Sequence, residues 1–551
     1  MINPQDTVLT LHQRRPLDKW RLAAFAIAAL VTFPLVVVLS SVFAPADEVW
    51  RHLATTVLSD LLINTVWLVA GVAAGTAVLG VGLAWLTAVC EFPGRRFFDW
   101  ALMLPLAIPA YVTAFVAVAL LDYAGPLQTL LRAALPEGWA VLPPIRSRGG
   151  VIVVMSLALY PYVYLLARQA FLTQGRRAME AAQALGHGRW AGFFRLAVPM
   201  ARPWIVGGLG LVVMETLADF GTVSVFNYDT FTTAIYKAWF GLFSLTAAAQ
   251  LASVLIVIVF AVLALEQTWR GHARYATGAK HDQPAERIAL SGAAAWLACV
   301  ACAGVLALAF AFPVARLATW GVARIAEDLD GRAIGFLWHS AFLGTVAAAL
   351  TCACALVLTY AKRHGNGLVA VATRVATLGY ALPGSVLAVG IFIPLAWLDR
   401  QVAVEFQAVH QELGLVILGT PLAMILAYVA RFLAAGFGPI ESAMHRVTPN
   451  LEEAARGLGV GGRRLLQRVH LPIIRSGVLT AATLVFVDVI KEMPATLMTR
   501  PFGWDTLSVR IFELTSEGQW EQAALPALAL VLAGLLPVML LTRHGAQASS
   551  E

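Results

Sequence analysis

Glu453-Ala454-Ala455, then Gly459, then Val469-His470-Leu471-Pro472 is the second appearance of a stretch already present as Glu180-Ala181-Ala182, Gly186 and Leu196-Ala197-Val198-Pro199. In both copies the glycine stands six positions after the glutamate and the proline thirteen after the glycine. Alanine and glutamate are good helix formers, and a glycine can leave a helix in the left-handed conformation. Each copy therefore reads as two short helices joined at a glycine, with Pro199 or Pro472 where the chain turns into the next apolar run. A single copy would pass for an ordinary polar loop. Two copies at one spacing describe a duplicated surface lying between membrane spans and meant for a soluble partner.

Outward from that stretch the chain is apolar. Of 551 residues 59% are hydrophobic and only 13% charged, with mean hydropathy +0.75; the charged share is about half that of a globular chain. Apolar runs of roughly 20 residues recur throughout, as membrane-crossing helices require. The net charge of +7 reflects Lys and Arg concentrated in alternate loops, which orients spans rather than binding nucleic acid. Cys90, Cys299, Cys302, Cys352 and Cys354 lie in or beside apolar runs and read as small core residues. The first run, from about Arg21 to Phe43, follows Arg14, Arg15 and Lys19 and is too long for a cleaved leader. It reads as a retained span with the N-terminus in the cytoplasm.

Length and flanks place about twelve spans near 21–43, 61–89, 98–120, 150–168, 203–226 and 243–266, then 290–312, 338–361, 368–397, 414–434, 474–499 and 523–542. The polar segment from Trp269 to Glu286 has no apolar period and divides them. The expected organisation is a first domain at 1–268, a cytoplasmic linker at 269–288 and a second domain at 289–551. The duplicated cytoplasmic loops occupy 176–202 and 446–475. Other blocks also repeat: Ile108-Pro109-Ala110 answers Leu382-Pro383-Gly384, Glu215 and Asp219 answer Asp488 and Glu492, and Asp229-Thr230 answers Asp505-Thr506. Six spans per half give both halves the same orientation, with a pathway between them along a pseudo-two-fold axis. The expected fold is an all-α polytopic membrane protein made of two parallel six-helix halves, with both termini cytoplasmic.

The duplicated pattern resembles that of the permease subunits of binding-protein-dependent ABC importers, and the halves resemble their MetI-like domains. The resemblance implies that the repeated stretch is the coupling helix that docks into a cytoplasmic ATPase. By position it assigns docking to Glu180, Ala181, Ala182, Gly186 and Pro199, and to Glu453, Ala454, Ala455, Gly459 and Pro472. No G-x-x-x-x-G-K-S/T loop occurs, so nucleotide chemistry belongs to another chain. The implied partners are two copies of that ATPase, which would hold ATP-Mg, and a periplasmic or lipid-anchored substrate-binding protein. The implied location is a bacterial inner membrane. The chain itself is then a transport permease rather than an enzyme, with no cofactor of its own. Outside, Tyr228-Asp229-Thr230-Phe231 and Trp504-Asp505-Thr506-Leu507 are either part of the binding protein's docking surface or plain turns with an Asx cap.

Charges inside spans cost roughly 2.5–3.5 kcal/mol each at the centre and mark function by default. Glu215, Asp219, Asp488, Lys491 and Glu492 qualify, all in the two spans that follow the repeated stretches. Lys491 shares a helix face with Asp488, three residues before it, so a local ion pair is the plain alternative. For Asp219 and Glu492 the alternative is to hold backbone at breaks made by Gly221 and Pro494. Pro109 and Pro383 read as hinges. The blocks Leu217–Val223, Asp229–Thr233, Lys491–Thr496 and Arg500–Leu507 resemble ferric-iron importer permeases. Thiamine, phosphonate, sugar-phosphate and polyamine importers share the architecture. A secondary transporter fits the apolar runs but not the parallel repeat with its duplicated loop, and a non-transporting scaffold would move no substrate at all.

Overall fold

A computed structural model describes residues 19–45, 47–134, 143–175, 186, 188–270, 287–407 and 416–547. Among them eleven helices are long and apolar enough to cross a membrane, from Lys19–Phe43 to Leu466–Lys491. The Ala524–Gln547 helix lies where a twelfth is expected. The perimeter exposes Phe33, Val66, Trp67, Trp296, Val300 and Leu479, side chains that only a lipid surround accommodates in such number.

Each half is centred on three helices in close contact. In the first, Leu58–Val89, Arg148–Ala170 and Val198–Ala218 converge. A Cβ added at Gly80 would lie 2.7 Å from Val163 Cβ, and one at Gly208 would lie 2.9 Å from Val163 Cα. In the second half, Gly331–His364, Leu422–Met444 and Leu471–Lys491 repeat the arrangement. There a Cβ at Gly477 would reach Pro439 O at 2.7 Å. Lipid supplies no hydrophobic drive between helices, so small residues that let backbones approach do the packing.

Four expected spans are interrupted, and the interruptions repeat between halves. The run near 98–120 becomes Arg95–Ala101, a 3-10 turn Leu104–Ala107 and a helix Ala110–Leu121. The run near 368–397 becomes Gly367–Ala376, a 3-10 turn Thr377–Ala381 and Gly384–Gln407. Ile108 (ψ 125°) and Leu382 (ψ 133°) are extended because each precedes a proline, which disfavours the helical region. Pro109 and Pro383 are thus full breaks rather than hinges within a helix. The runs near 203–226 and 474–499 also break, at Asp219 (ψ 130°) and Glu492 (ψ 120°), before the short helices Gly221–Val225 and Pro494–Thr499.

The opening helix of each half crosses to the other. Lys19–Ser40 packs on Gly331–His364, Gly367–Ala376 and Gly384–Gln407. Ala295, Ala298 and Cys302 of the second half share a core with Leu83, Phe98 and Tyr160 of the first. Of the expected linker, residues 271–286 lie outside the described residues. Its far side is anchored where Ile288-Ala289 pairs in parallel with Cys90-Glu91, and Leu290 N donates to Glu91 O at 3.0 Å. None of the five cysteines forms a disulfide, and Cys90, Cys302 and Cys352 are buried.

The crossing of Lys19–Ser40 depends on Gly390, where an added Cβ would stand 2.5 Å from Pro34 O. Gly390→Val forces two backbones apart and should cost about 1–3 kcal/mol. Thermal unfolding in detergent should show a lowered Tm; a parental Tm would mean that the crossing helix is not held there.

Candidate functional site

The second repeated stretch starts at Thr448, with Pro449 in the first turn, where its missing N–H costs nothing. The helix Pro449–Gly457 then closes on a paired hydrogen-bond motif. Val460 N donates to Ala455 O and Gly459 N to Arg456 O, each at 2.9 Å. That pairing requires a left-handed residue, and Gly459 has φ 76°. Gly186 matches it at φ 73°. Glu180, Ala181 and Ala182 lie outside the described residues. In the second copy Glu453 and Ala454 are exposed, Ala455 is buried, and Leu458 is 83% exposed. Pro199 and Pro472 sit in the first turns of Val198–Ala218 and Leu471–Lys491. Leu451, Glu453, Ala454 and Leu458 thus leave an exposed face of mixed polarity at one end of the bundle.

Between the halves lies a cavity of about 540 Å³, and all five intramembrane candidates, Glu215, Asp219, Asp488, Lys491 and Glu492, line it. Their partners differ. Asp219 accepts from Val223 N at 3.1 Å and from the Thr222 hydroxyl at 2.9 Å. Glu492 accepts from Ala495 N at 3.1 Å, and its other oxygen is 3.3 Å from Arg431 Nε. Both carboxylates therefore cap the short helix beyond their own break, satisfying amides that the interruption leaves orphaned. Lys491 does not pair with Asp488. Its ammonium donates across the cavity to Leu106 O of the other half at 3.0 Å, because the 3-10 turn there presents a carbonyl without a helical partner. Glu215 accepts from the Tyr380 hydroxyl of the opposite half at 3.2 Å. Glu215 and Asp488 are thus the carboxylates of this set that hold no helix end.

Arg431, buried on the Leu422–Met444 helix, belongs to this constellation and was not among the sequence candidates. The signal was available: it is a charge inside the run near 414–434. Tyr111, Tyr162 and Tyr380 complete the polar lining. The short helices on the side away from the repeated stretches lock onto the breaks. Thr232 donates to Asp219 O at 2.6 Å and Ser508 to Glu492 O at 2.8 Å. The Asp229-Thr230 and Asp505-Thr506 blocks are capped turns, but the cap is the threonine rather than the aspartate. Asp229 instead pairs with Lys237 at 2.5 Å, and Asp505 pairs with Arg500.

Residues 80–265 and 340–548 each match the family described as binding-protein-dependent transport system inner membrane component, and the chain belongs to that family. It is 28% identical to the Fe(3+)-transport system permease protein FbpB 2 of Haemophilus influenzae, over 88% of this chain and 90% of that one. Shorter likenesses include the molybdenum transport system permease protein ModB of Escherichia coli, 28% identical over 27% of this chain and 62% of that one. The sulfate transport system permease protein CysT of Escherichia coli is 28% identical over 26% of this chain and 50% of its own length. The chain is a multi-pass permease of binding-protein-dependent ABC import.

Because Glu492 is buried and holds both a helix end and Arg431, Glu492→Gln leaves a buried guanidinium without its counter-charge. Breaking such a pair costs about 3–5 kcal/mol. A large fall in Tm is expected, whereas Asp219→Asn, which has no paired cation, should lose only about 1 kcal/mol. Equal losses in a thermal-shift comparison would contradict this division.

Proposed function

We propose that this permease imports ferric iron, delivered by a separate substrate-binding protein and driven by a separate ATPase. The observation that carries the reading is the cavity between the halves, where four carboxylates and three phenols face one lysine and one arginine. Ferric iron is a hard cation that favours oxygen donors. A doubly charged oxyanion such as sulfate would meet net repulsion in the same space. The long likeness to an iron permease supports the same choice over the shorter likenesses to molybdenum and sulfate permeases. Among the described residues no three His, Cys, Asp or Glu converge as a metal-holding set. Such a cavity offers oxygen ligands one or two at a time, which suits passage more than storage.

In this mechanism the repeated stretches, with both termini, face the cytoplasm. Two ATPase subunits holding ATP-Mg close on the faces around Gly186 and Gly459. The halves then rock about the broken helices, turning the cavity from the outside to the inside. The binding protein docks on the opposite end, near the Asp229 and Asp505 turns. Glu215 and Asp488, which hold no helix end, are the carboxylates that meet the ion. Asp219, Glu492 and Lys491 border its path while keeping the two breaks closed.

Uptake of labelled ferric iron, with thiamine and sulfate as comparators, tests the substrate in cells carrying the permease with its ATPase and binding protein. Iron uptake that disappears with a hydrolysis-dead ATPase is expected. Uptake of a comparator in place of iron would reassign the substrate. Glu215→Gln and Asp488→Asn should each lower iron uptake about tenfold or more while changing stability by about 1 kcal/mol or less. Full uptake in the double variant would remove both from the path.

An added Cβ at Gly186 or Gly459 meets nothing within 4 Å, so a side chain fits there and projects into the space the ATPase would occupy. Gly459→Asp carries only the left-handed backbone penalty of about 1–2 kcal/mol. It should abolish uptake with little loss of folded protein, and normal uptake in the Gly186→Asp, Gly459→Asp double variant would overturn docking at these faces.

A further inference from the structure

We propose that Glu452 is a positioning residue: it latches the second repeat helix to the membrane helices, so that an ATPase contact on that helix moves the second half's central helices together. The inference rests on the importer reading above for what the helix pushes on, but the latch itself is a feature of the fold. Glu452 precedes the repeated pattern and is 7% exposed on a short helix whose next residue, Glu453, is in solvent. A carboxylate that deeply placed needs compensating partners, and two arginines and a buried histidine surround it. Arg363 Nε donates to Glu452 Oε1 at 2.7 Å, Arg456 approaches Oε2 at 3.4 Å, and Nε2 of the buried His470 lies 3.4 Å from Oε1.

These partners come from different elements. Arg363 is at the end of Gly331–His364, and His470 is in the turn that opens Leu471–Lys491. Arg363 also donates to Val447 O at 2.6 Å and Met444 O at 3.3 Å, the carbonyls left over where Leu422–Met444 ends. One carboxylate thus joins the repeat helix to all three central helices of its half. A push on Pro449–Gly457 moves those helices as a body.

The first copy differs in sequence at these positions. At the positions of Glu452 and His470, counted from the shared glycine and proline, it carries Met179 and Ala197. The first half's helix corresponding to Gly331–His364 ends at Val89, and Cys90 stands in place of Arg363. This cluster belongs to the second copy.

Two measurements test the proposal on the full chain with Glu452→Gln, Arg363→Gln and the double variant, which removes both charges and so leaves neither buried alone. Amide hydrogen exchange of the permease by itself should show faster exchange across 449–460 in all three. Exchange at the parental rate in the double variant overturns the latch whether or not the chain transports anything. In the reconstituted complex, uptake per ATP hydrolysed should fall about fivefold to tenfold in each single variant, with the ATPase still bound. The double variant should lose no more than Arg363→Gln alone, because that substitution already removes the Glu452 contact. A parental ratio in the double variant, or losses that multiply, would overturn Glu452 and Arg363 as a unit.

Discussion

A peptide group in hydrocarbon has no water to bond, and the breaks at Asp219 and Glu492 are possible only because their own side chains supply what the interrupted helix lost. Each carboxylate turns back onto an amide of the short helix that follows: Val223 N in one half and Ala495 N in the other. The freed carbonyls are met from a different element, by the hydroxyls of Thr232 and Ser508. An interrupted helix leaves the axis that a continuous one would fill. The break at Pro109 lines the same space, and Tyr380 reaches it from the 3-10 turn before Pro383. The cavity is therefore a consequence of satisfied breaks, and its polarity is a consequence of what satisfies them.

Much of this was legible. Rare charges in apolar runs pointed to Glu215, Asp219, Asp488, Lys491 and Glu492, and all five line one cavity. The same test applied to the run near 414–434 finds Arg431. The duplicated glycines announced a left-handed turn, because the helix-closing motif at Gly459 leaves little alternative. Other features carry no local signal. The crossing of Lys19–Ser40 onto the far half is set by surface fit at Ala24, Ala28 and Val31, residues that suit any lipid-facing or buried helix. Hydropathy windows bridge a two-residue extended break, so the four interrupted spans read as continuous. The partner of Lys491 carries no local signal for a related reason. Helical spacing sees Asp488, but the carbonyl that accepts the Lys491 hydrogen bond comes from the other half.

The two halves agree in backbone and differ in charge. By the spacing of the repeat, Arg431 corresponds to Ala158 and Lys491 to Ala218; counted from Pro383 and Pro109, Tyr380 corresponds to Leu106; every one of these lines the cavity. All the cations therefore come from the second half, while the carboxylates are shared equally. Glu452 and His470 against Met179 and Ala197 extend the same inequality to the end of the bundle that bears the repeat.

Fusion is what permits that inequality. Two copies of the first half would face each other with four carboxylates and no cation, a charge that desolvation makes costly to gather. Two copies of the second would bring four carboxylates and four cations, a cavity in which each charge has a counter-charge. The fused chain holds four carboxylates against two cations. One of those cations is committed to Glu492 and the other to a backbone carbonyl. Glu215 and Asp488, one from each half, are left holding no helix end, which is why the import reading proposed above places the ion's path between them.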